Sequence, residues 1–250
     1  VNNRLPTLLS AALLGVASLS ACGTTPAEDR ERITFPARAD FPVTSQGGVD
    51  SLTPGARTYE LDSSLEASHL YVQLFAAGMG HNHVVRATSW SGLARFDPSK
   101  LEDCLVVVTL QVEGLDPERD EMRDLISEDR ISQSDRDTIR EHLRGADQLN
   151  SAVYKTISFD SKSCTLSDQK GEGGHPVVNV KGDMTLRGVI HEVILPLEVA
   201  VDEQTLAARG VLTTTHEDFG FKPYSALGGM VANKSELYFV LDVRGQRKTQ

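Results

Sequence analysis

Long runs of strict apolar alternation restrict this chain more than any other feature. In segment 193–201, Val193, Leu195, Leu197, Val199 and Val201 share one face, and in 235–243 the same holds for Leu237, Phe239, Leu241 and Val243. The pattern recurs for Cys104, Val106, Val108, Leu110 and Val112, for Trp90, Gly92, Ala94 and Phe96, and for Val178, Val180, Gly182, Met184 and Leu186. Successive side chains of a strand point to opposite faces, so a period of two predicts strands with one face buried. Asp97-Pro98, the glycine-rich stretch 171–174 and Asp202-Glu203 separate the runs as turns or short polar links. Roughly eight strands with short connections predict an antiparallel barrel or sandwich.

One segment, 116–147, breaks the alternation. Asp116 followed by Pro117 and Glu118 predicts a helix start, with Asp116 as the cap. Met122, Leu125 and Ile126 then recur at helical spacing. Ser134 with Asp137 three residues later predicts a second start. Ile139 and Leu143 continue that helix to a stop at Gly145. Residues 113–147 hold twelve acidic and six basic side chains, read as a solvated outer face. The expected fold class is therefore all-β with a small helical insertion, its two short helices lying across one end.

The N-terminal segment reads as an address. Leu5–Leu19 is apolar and rich in small residues behind Arg4, too short for a membrane-spanning helix but suited to a secretory signal. It runs into Leu19-Ser20-Ala21-Cys22-Gly23, which resembles the bacterial lipobox. That resemblance implies cleavage before Cys22 and acylation of its thiol, and two acyl chains suffice for stable anchoring. Residues 1–21 are thus expected to be a signal peptide. Residues 22–55, with Pro26, Pro36, Pro42, Pro54 and Gly47-Gly48, are expected to be a flexible tether. The barrel domain is expected over 56–246. By resemblance to Gram-negative lipoproteins, Gly23 favours the periplasmic face of the outer membrane. In an oxidising compartment the remaining Cys104 and Cys164 either close a disulfide or stay as buried thiols.

Charge and motifs exclude several functions. Thirty-five acidic residues against 25 basic ones give a formal charge of −10. Phosphate contacts need clustered Lys and Arg, so a nucleic-acid partner is not expected, and neither is docking on anionic lipid through a basic patch. The chain lacks a Gly-x-Ser-x-Gly elbow and a glycine-rich phosphate loop with a following Lys. No catalytic residue is assigned and no enzymatic activity is expected.

Several stretches together resemble the YceI-like domain family. Ile139-Arg-Glu-His-Leu-Arg-Gly-Ala-Asp-Gln-Leu-Asn150, followed by Tyr154-Lys-Thr-Ile-Ser-Phe159, is similar to the family's helix-to-strand passage. Val180-Lys-Gly-Asp-Met-Thr-Leu-Arg-Gly-Val-Ile-His191 resembles one of its hairpins. Thr213 to Phe221, with Asp218-Phe219-Gly220, and Ser91-Gly92 through Phe96-Asp97 resemble two of its strands. The resemblance covers about residues 57–245 in order. Gln148-Leu149-Asn150 stands where the family carries an aromatic pair, and Ala152-Val153 where a proline-containing turn is common. The resemblance implies a lipocalin-like antiparallel eight-stranded β-barrel with an apolar tunnel that binds polyisoprenoid lipids, including quinone-type tails. Small residues such as Gly92, Ala94, Gly182 and Ala208 would leave room inside.

On that reading the protein is an exported, lipid-anchored carrier or sequestering protein for a long isoprenoid or quinone, with no obligatory cofactor. The expected tunnel lining is Trp90, Phe96, Val108, Leu110, Phe159, Met184, Leu195, Leu197, Phe219, Phe221, Tyr224 and Phe239. Two other readings stand beside it. His81 and His83 point to the same side of an extended segment, a spacing used in metal sites, with His191 and His216 as possible further ligands to zinc or copper. Alternatively, a solid barrel serves as an envelope interaction module whose acidic helices meet a protein partner that the sequence does not name.

Overall fold

The computed structural model describes residues 32–33, 49, 52–65 and 68–248. The signal segment 1–21, Cys22 and most of the tether lie outside the described residues. The strands are β1 (Arg57–Asp62), β2 (His69–Ala76), β3 (His83–Ala87), β4 (Trp90–Phe96), β5 (Leu105–Gln111) and β6 (Leu115–Pro117). They continue with β7 (Thr156–Lys170), β8 (Pro176–Leu186), β9 (Val189–Val201), β10 (Thr205–Thr215), β11 (Ser225–Ala226) and β12 (Val231–Arg247). Helices α1 (Asp120–Asp124) and α2 (Gln133–Arg144) sit between β6 and β7.

Eight strands, β1, β4, β5, β7, β8, β9, β10 and β12, are hydrogen-bonded in that order, and β1 pairs with β12 to close the ring. Every pairing in it is antiparallel. The long β12 divides its free edge: Gly245–Arg247 pairs with β1, while Leu237–Asp242 pairs with β2. The β2–β3–β6 strands thus extend the wall beyond the short β1. Closure leaves no long open edge, which removes the pairing hazard of an exposed strand.

The period of two carries directly into three dimensions. Val193, Leu195, Leu197, Val199 and Val201 are all buried, as are Val178, Val180, Met184 and Leu186. Two glycines are placed by close approach. A Cβ on Gly92 would stand 2.4 Å from the Val107 carbonyl oxygen. One on Gly182 would stand 2.5 Å from the Asp160 oxygen and 2.7 Å from the Phe159 ring. Beside Gly182 the β7–β8 register shifts between Ser161 and Ser163. A bulge opposite a glycine is a common way to turn a barrel corner.

The helical insertion forms with corrected boundaries. Asp116 does not cap a helix, because β6 runs through it and α1 begins after Arg119. The second start lies at Ser132, whose hydroxyl accepts from the Asp135 N–H, two residues before the predicted pair; the stop at Gly145 is as expected. The two helices also part company. Met122 of α1 and Ile126 in the turn that follows it pack with Val84, Val240 and Ile33 in a small satellite core. Only α2, through Leu143, lies across the end of the barrel.

The segment expected to be a tether is docked on the barrel at two described points. Ile33 is buried and its N–H donates to Gln73 Oε1 at 2.8 Å, and Val49 is buried in the main core. Apolar residues in that segment find apolar partners on the barrel, so at these two points it is not free. Cys104 and Cys164 are joined by a disulfide with their Cα atoms 5.8 Å apart. It ties the approach to β5 to its neighbour β7. No helix among the described residues is long and apolar enough to cross a membrane.

Candidate functional site: an apolar cavity and its lid

The inward faces do not meet. They surround a cavity of about 200 Å³. A buried water needs only roughly 10–15 Å³ of such space, so the void is not a packing defect. On β8 the lining runs from Val178 to Leu186. Eight steps of about 3.3 Å make that roughly 26 Å along the strand, which fits a long, narrow guest. Among the lining residues outside the disulfide, only Tyr71, Trp90, Gln148, Ser158 and His216 bring a nitrogen or oxygen. The barrel is hollow, which removes the solid-barrel form of the interaction-module reading.

Ten of the twelve residues expected to line the tunnel do so: Trp90, Phe96, Val108, Leu110, Phe159, Met184, Leu195, Leu197, Phe221 and Phe239. Two do not. The chain leaves β10 at Thr215 and enters a short 3-10 turn, Glu217–Phe219, that ends at Gly220 with φ +71. This turn takes Phe219 out of the alternation and packs its ring edge-on against His191, centroids 5.7 Å apart. Tyr224 stacks on His142 of α2 at 5.1 Å, away from the lumen. The alternation misses Leu143, Gln148 and Leu149, which line the cavity from the helical insertion.

The strand registers give the cavity two ends. At one, Phe96 pairs with Arg57 and Leu206 with Gly245. There Tyr59 is fully buried, stacks on Phe96 at 5.8 Å, and donates its hydroxyl to the Asp202 carbonyl at 2.6 Å. Burial, the largest effect, pushes the Tyr59 hydroxyl up to about 12, so this end carries no phenolate at neutral pH.

At the other end α2 and residues 145–149 form a lid, held by polar latches. The β8–β9 hairpin turns on Arg187 and Gly188, both with positive φ (53° and 73°), the geometry of a two-residue primed turn. The turn aims Arg187 at the lid. Its guanidinium donates to the carbonyls of Asp147 and Ala146, both at 3.2 Å, and lies 4.9 Å above the Phe221 ring. Gln148 donates to the Lys222 carbonyl at 3.3 Å.

Asp116 anchors the far side of α2. It accepts from Arg119, from Arg136 at 2.5 Å and from Arg140 at 2.9 Å. Burial alone would raise its carboxyl, but these three arginines hold it below the usual range. The acidic run is therefore not uniformly a solvated face.

The His-x-His motif lies outside the cavity lining. His81 and His83 have ring centroids 4.6 Å apart. The residue joined to them is Glu118, which the sequence places in a helix start but which is fully buried at φ +62. His83 Nδ1 is 2.9 Å from Glu118 Oε1, and Oε1 also accepts from the Val84 N–H at 3.1 Å. Arg123 donates to Oε2. Burial acts to raise the Glu118 carboxyl; the His83 hydrogen bond and the His83 and Arg123 charges more than offset it and hold it low. His191 and His216, suggested as further ligands, lie elsewhere. His191 packs on Phe219, and His216 is bonded to the Ser235 carbonyl at 2.6 Å.

Comparison with known proteins gives a consistent picture. The family model described as YceI-like domain matches residues 59–243. The structure is similar to that of BcnA from Burkholderia cenocepacia, with a TM-score of 0.51 and 18% identity over 71% of this chain and 95% of that one. It is also similar to a YceI protein from Campylobacter jejuni, with a TM-score of 0.46 and 15% identity over 66% of this chain and 85% of that one. No curated protein matches.

Proposed function

The chain belongs to the YceI-like domain family, and from that premise we propose that it is an exported, lipid-anchored carrier of a polyisoprenoid or isoprenoid quinone. The observation that carries the reading is the cavity: enclosed by eight strands, apolar along its length and closed by a latched lid. An apolar chain entering it gains about 0.8 kcal/mol per buried CH₂. Reversible burial needs no nucleophile or acid–base pair, so the reading includes no turnover.

The lid end suits a polar head. Trp90 Nε1 is buried there without a hydrogen-bond partner among the described residues. An unmet buried donor is costly, and a ligand oxygen would satisfy it. Gln148 and His216 also belong to this end. A quinone combines such an oxygen with a long apolar tail.

Anchoring rests on the sequence reading of Cys22 and the preceding signal. It places the barrel on a tether at the cell envelope, on the periplasmic face of the outer membrane in a Gram-negative cell. A carrier held beside its lipid source has a short distance to travel.

Mass spectrometry of organic extracts from the purified protein tests the proposal. The expected result is one isoprenoid-class lipid per chain, lost or depleted when Ala208→Phe fills the lumen. A wild-type protein that yields no apolar ligand and takes up none from mixed lipid extracts would defeat it. Metabolic labelling with a palmitate analogue tests the anchor: label is expected on wild type and absent from Cys22→Ala.

A further inference from the structure

His81, His83 and Glu118 form a cluster that the apolar cavity does not use, since none of the three lines it. Their ligand atoms all lie within 4.8 Å of one another. His81 Nε2 is buried and makes no hydrogen bond among the described residues. An imidazole nitrogen in that condition, beside a second imidazole and a buried carboxylate, has lost water without gaining a partner. The two histidines come from one stretch, the loop before β3 and the first residue of β3, and the glutamate is the residue after β6. The β3–β6 pairing, with Val85 opposite Pro117, brings Glu118 to the histidines.

We infer that His81, His83 and Glu118 hold a divalent cation of the zinc class, bound by two imidazole nitrogens and one carboxylate oxygen. Two nitrogens and one oxygen, with a fourth position left for water, suit that class of ion. Tetrahedral ligands at about 2.0–2.1 Å from the metal stand roughly 3.4 Å apart. His83 Nδ1 and Glu118 Oε1 are already 2.9 Å apart, so the required adjustment is small side-chain rotation. The cation would take the place of the proton between these two atoms, which is released to solvent.

The surroundings supply what such a site needs. Arg123 on Oε2 and the Val84 N–H on Oε1 fix the carboxylate, as partners behind a ligand commonly do. Glu128 accepts from the Asn82 N–H at 2.9 Å, which secures the residue between the two histidines, and its other oxygen lies 3.9 Å from Arg123. With neutral imidazoles, the two carboxylates outnumber the one guanidinium by a single negative charge. The left-handed backbone at Glu118 is uncommon for a residue with a long side chain, and such conformations cluster at functional sites.

Zinc titration of the chelator-treated protein tests the inference, read by calorimetry and by thermal unfolding with and without zinc. One equivalent per chain is expected, with a higher Tm in its presence. His81→Ala and His83→Ala are each expected to weaken binding at least tenfold and abolish the Tm rise, while His142→Ala, an exposed histidine elsewhere, leaves both unchanged. Glu118→Gln keeps the shape if Glu118→Ala fails to fold, and is expected to weaken binding as well. Absence of zinc binding by the wild type, or equal affinity in the His81→Ala/His83→Ala double variant, overturns the site. Lipid content is measured in the same samples, so loss of the metal site is distinguished from loss of the carrier function.

Discussion

At the scale of single residues, polarity alone did not decide environment. Asp116 and Glu118 sit in a run of acidic side chains, yet one gathers three arginines and the other is fully buried. His216 is a third example. It is buried at the lid end and donates from Nδ1 to the Ser235 carbonyl. Burial, the largest effect, lowers its proton affinity below the ordinary value of 6.5 and outweighs the opposing pull of the Ser235 bond and the Glu217 charge. The unfolded chain therefore takes up this proton first as pH falls. Stability from neutral His216 is fully present above about pH 6.5 and is lost as pH drops towards the folded value, at no more than about 1.4 kcal/mol per pH unit. Urea unfolding between pH 7.5 and 5.5 is expected to show a smaller loss for His216→Gln than for wild type. Identical pH slopes would refute the assignment.

Elements were legible where one face of a strand met the lumen and the other met water. The lining of β4, β5, β8, β9 and β12 followed from alternation because each inward position repeats the same environment. The helical insertion was legible as a pair of helices but not in its placement. Short helices gain most of their stability from tertiary partners. For α2 those partners include Asp116, some twenty residues upstream and on a strand. Asp116→Asn is expected to destabilise the fold by about 1.5–3 kcal/mol, since it weakens charge-assisted bonds to three arginines. It should also speed release of a bound apolar fluorophore, because α2 forms the lid. Stopped-flow displacement checks this; unchanged release with a lowered unfolding midpoint would mean that α2 does not gate the cavity.

For the molecule as a whole, the closed ring and the disulfide set the limits on opening. The Cys104–Cys164 bridge spans 60 residues of sequence, including both helices and β6. By the chain-entropy argument, closing that loop restricts the unfolded ensemble by about 4 kcal/mol. Cys104→Ser/Cys164→Ser is expected to unfold at lower urea by that order, measured under non-reducing conditions. Both sulfurs border the cavity, so the same variant reports whether this wall segment keeps its shape: lipid loading should persist if the ring alone holds the lumen open. A difference below about 1 kcal/mol would show that the bridge adds little beyond the sheet.

The alternation and the turn signals fixed the class of fold and the inward faces, because each is a local property read one segment at a time. Phe219 marks the limit of that reading. Its neighbours look like a strand, but the Glu217–Phe219 turn rotates the ring out of the lumen. What only the tertiary structure decided were the meetings of distant residues: Arg187 on the lid, three arginines on Asp116, and Glu118 beside His81 and His83. The space inside belongs with them. Period two says which side chains face inward, but whether they touch across the middle depends on strand number, tilt and closure of the whole ring.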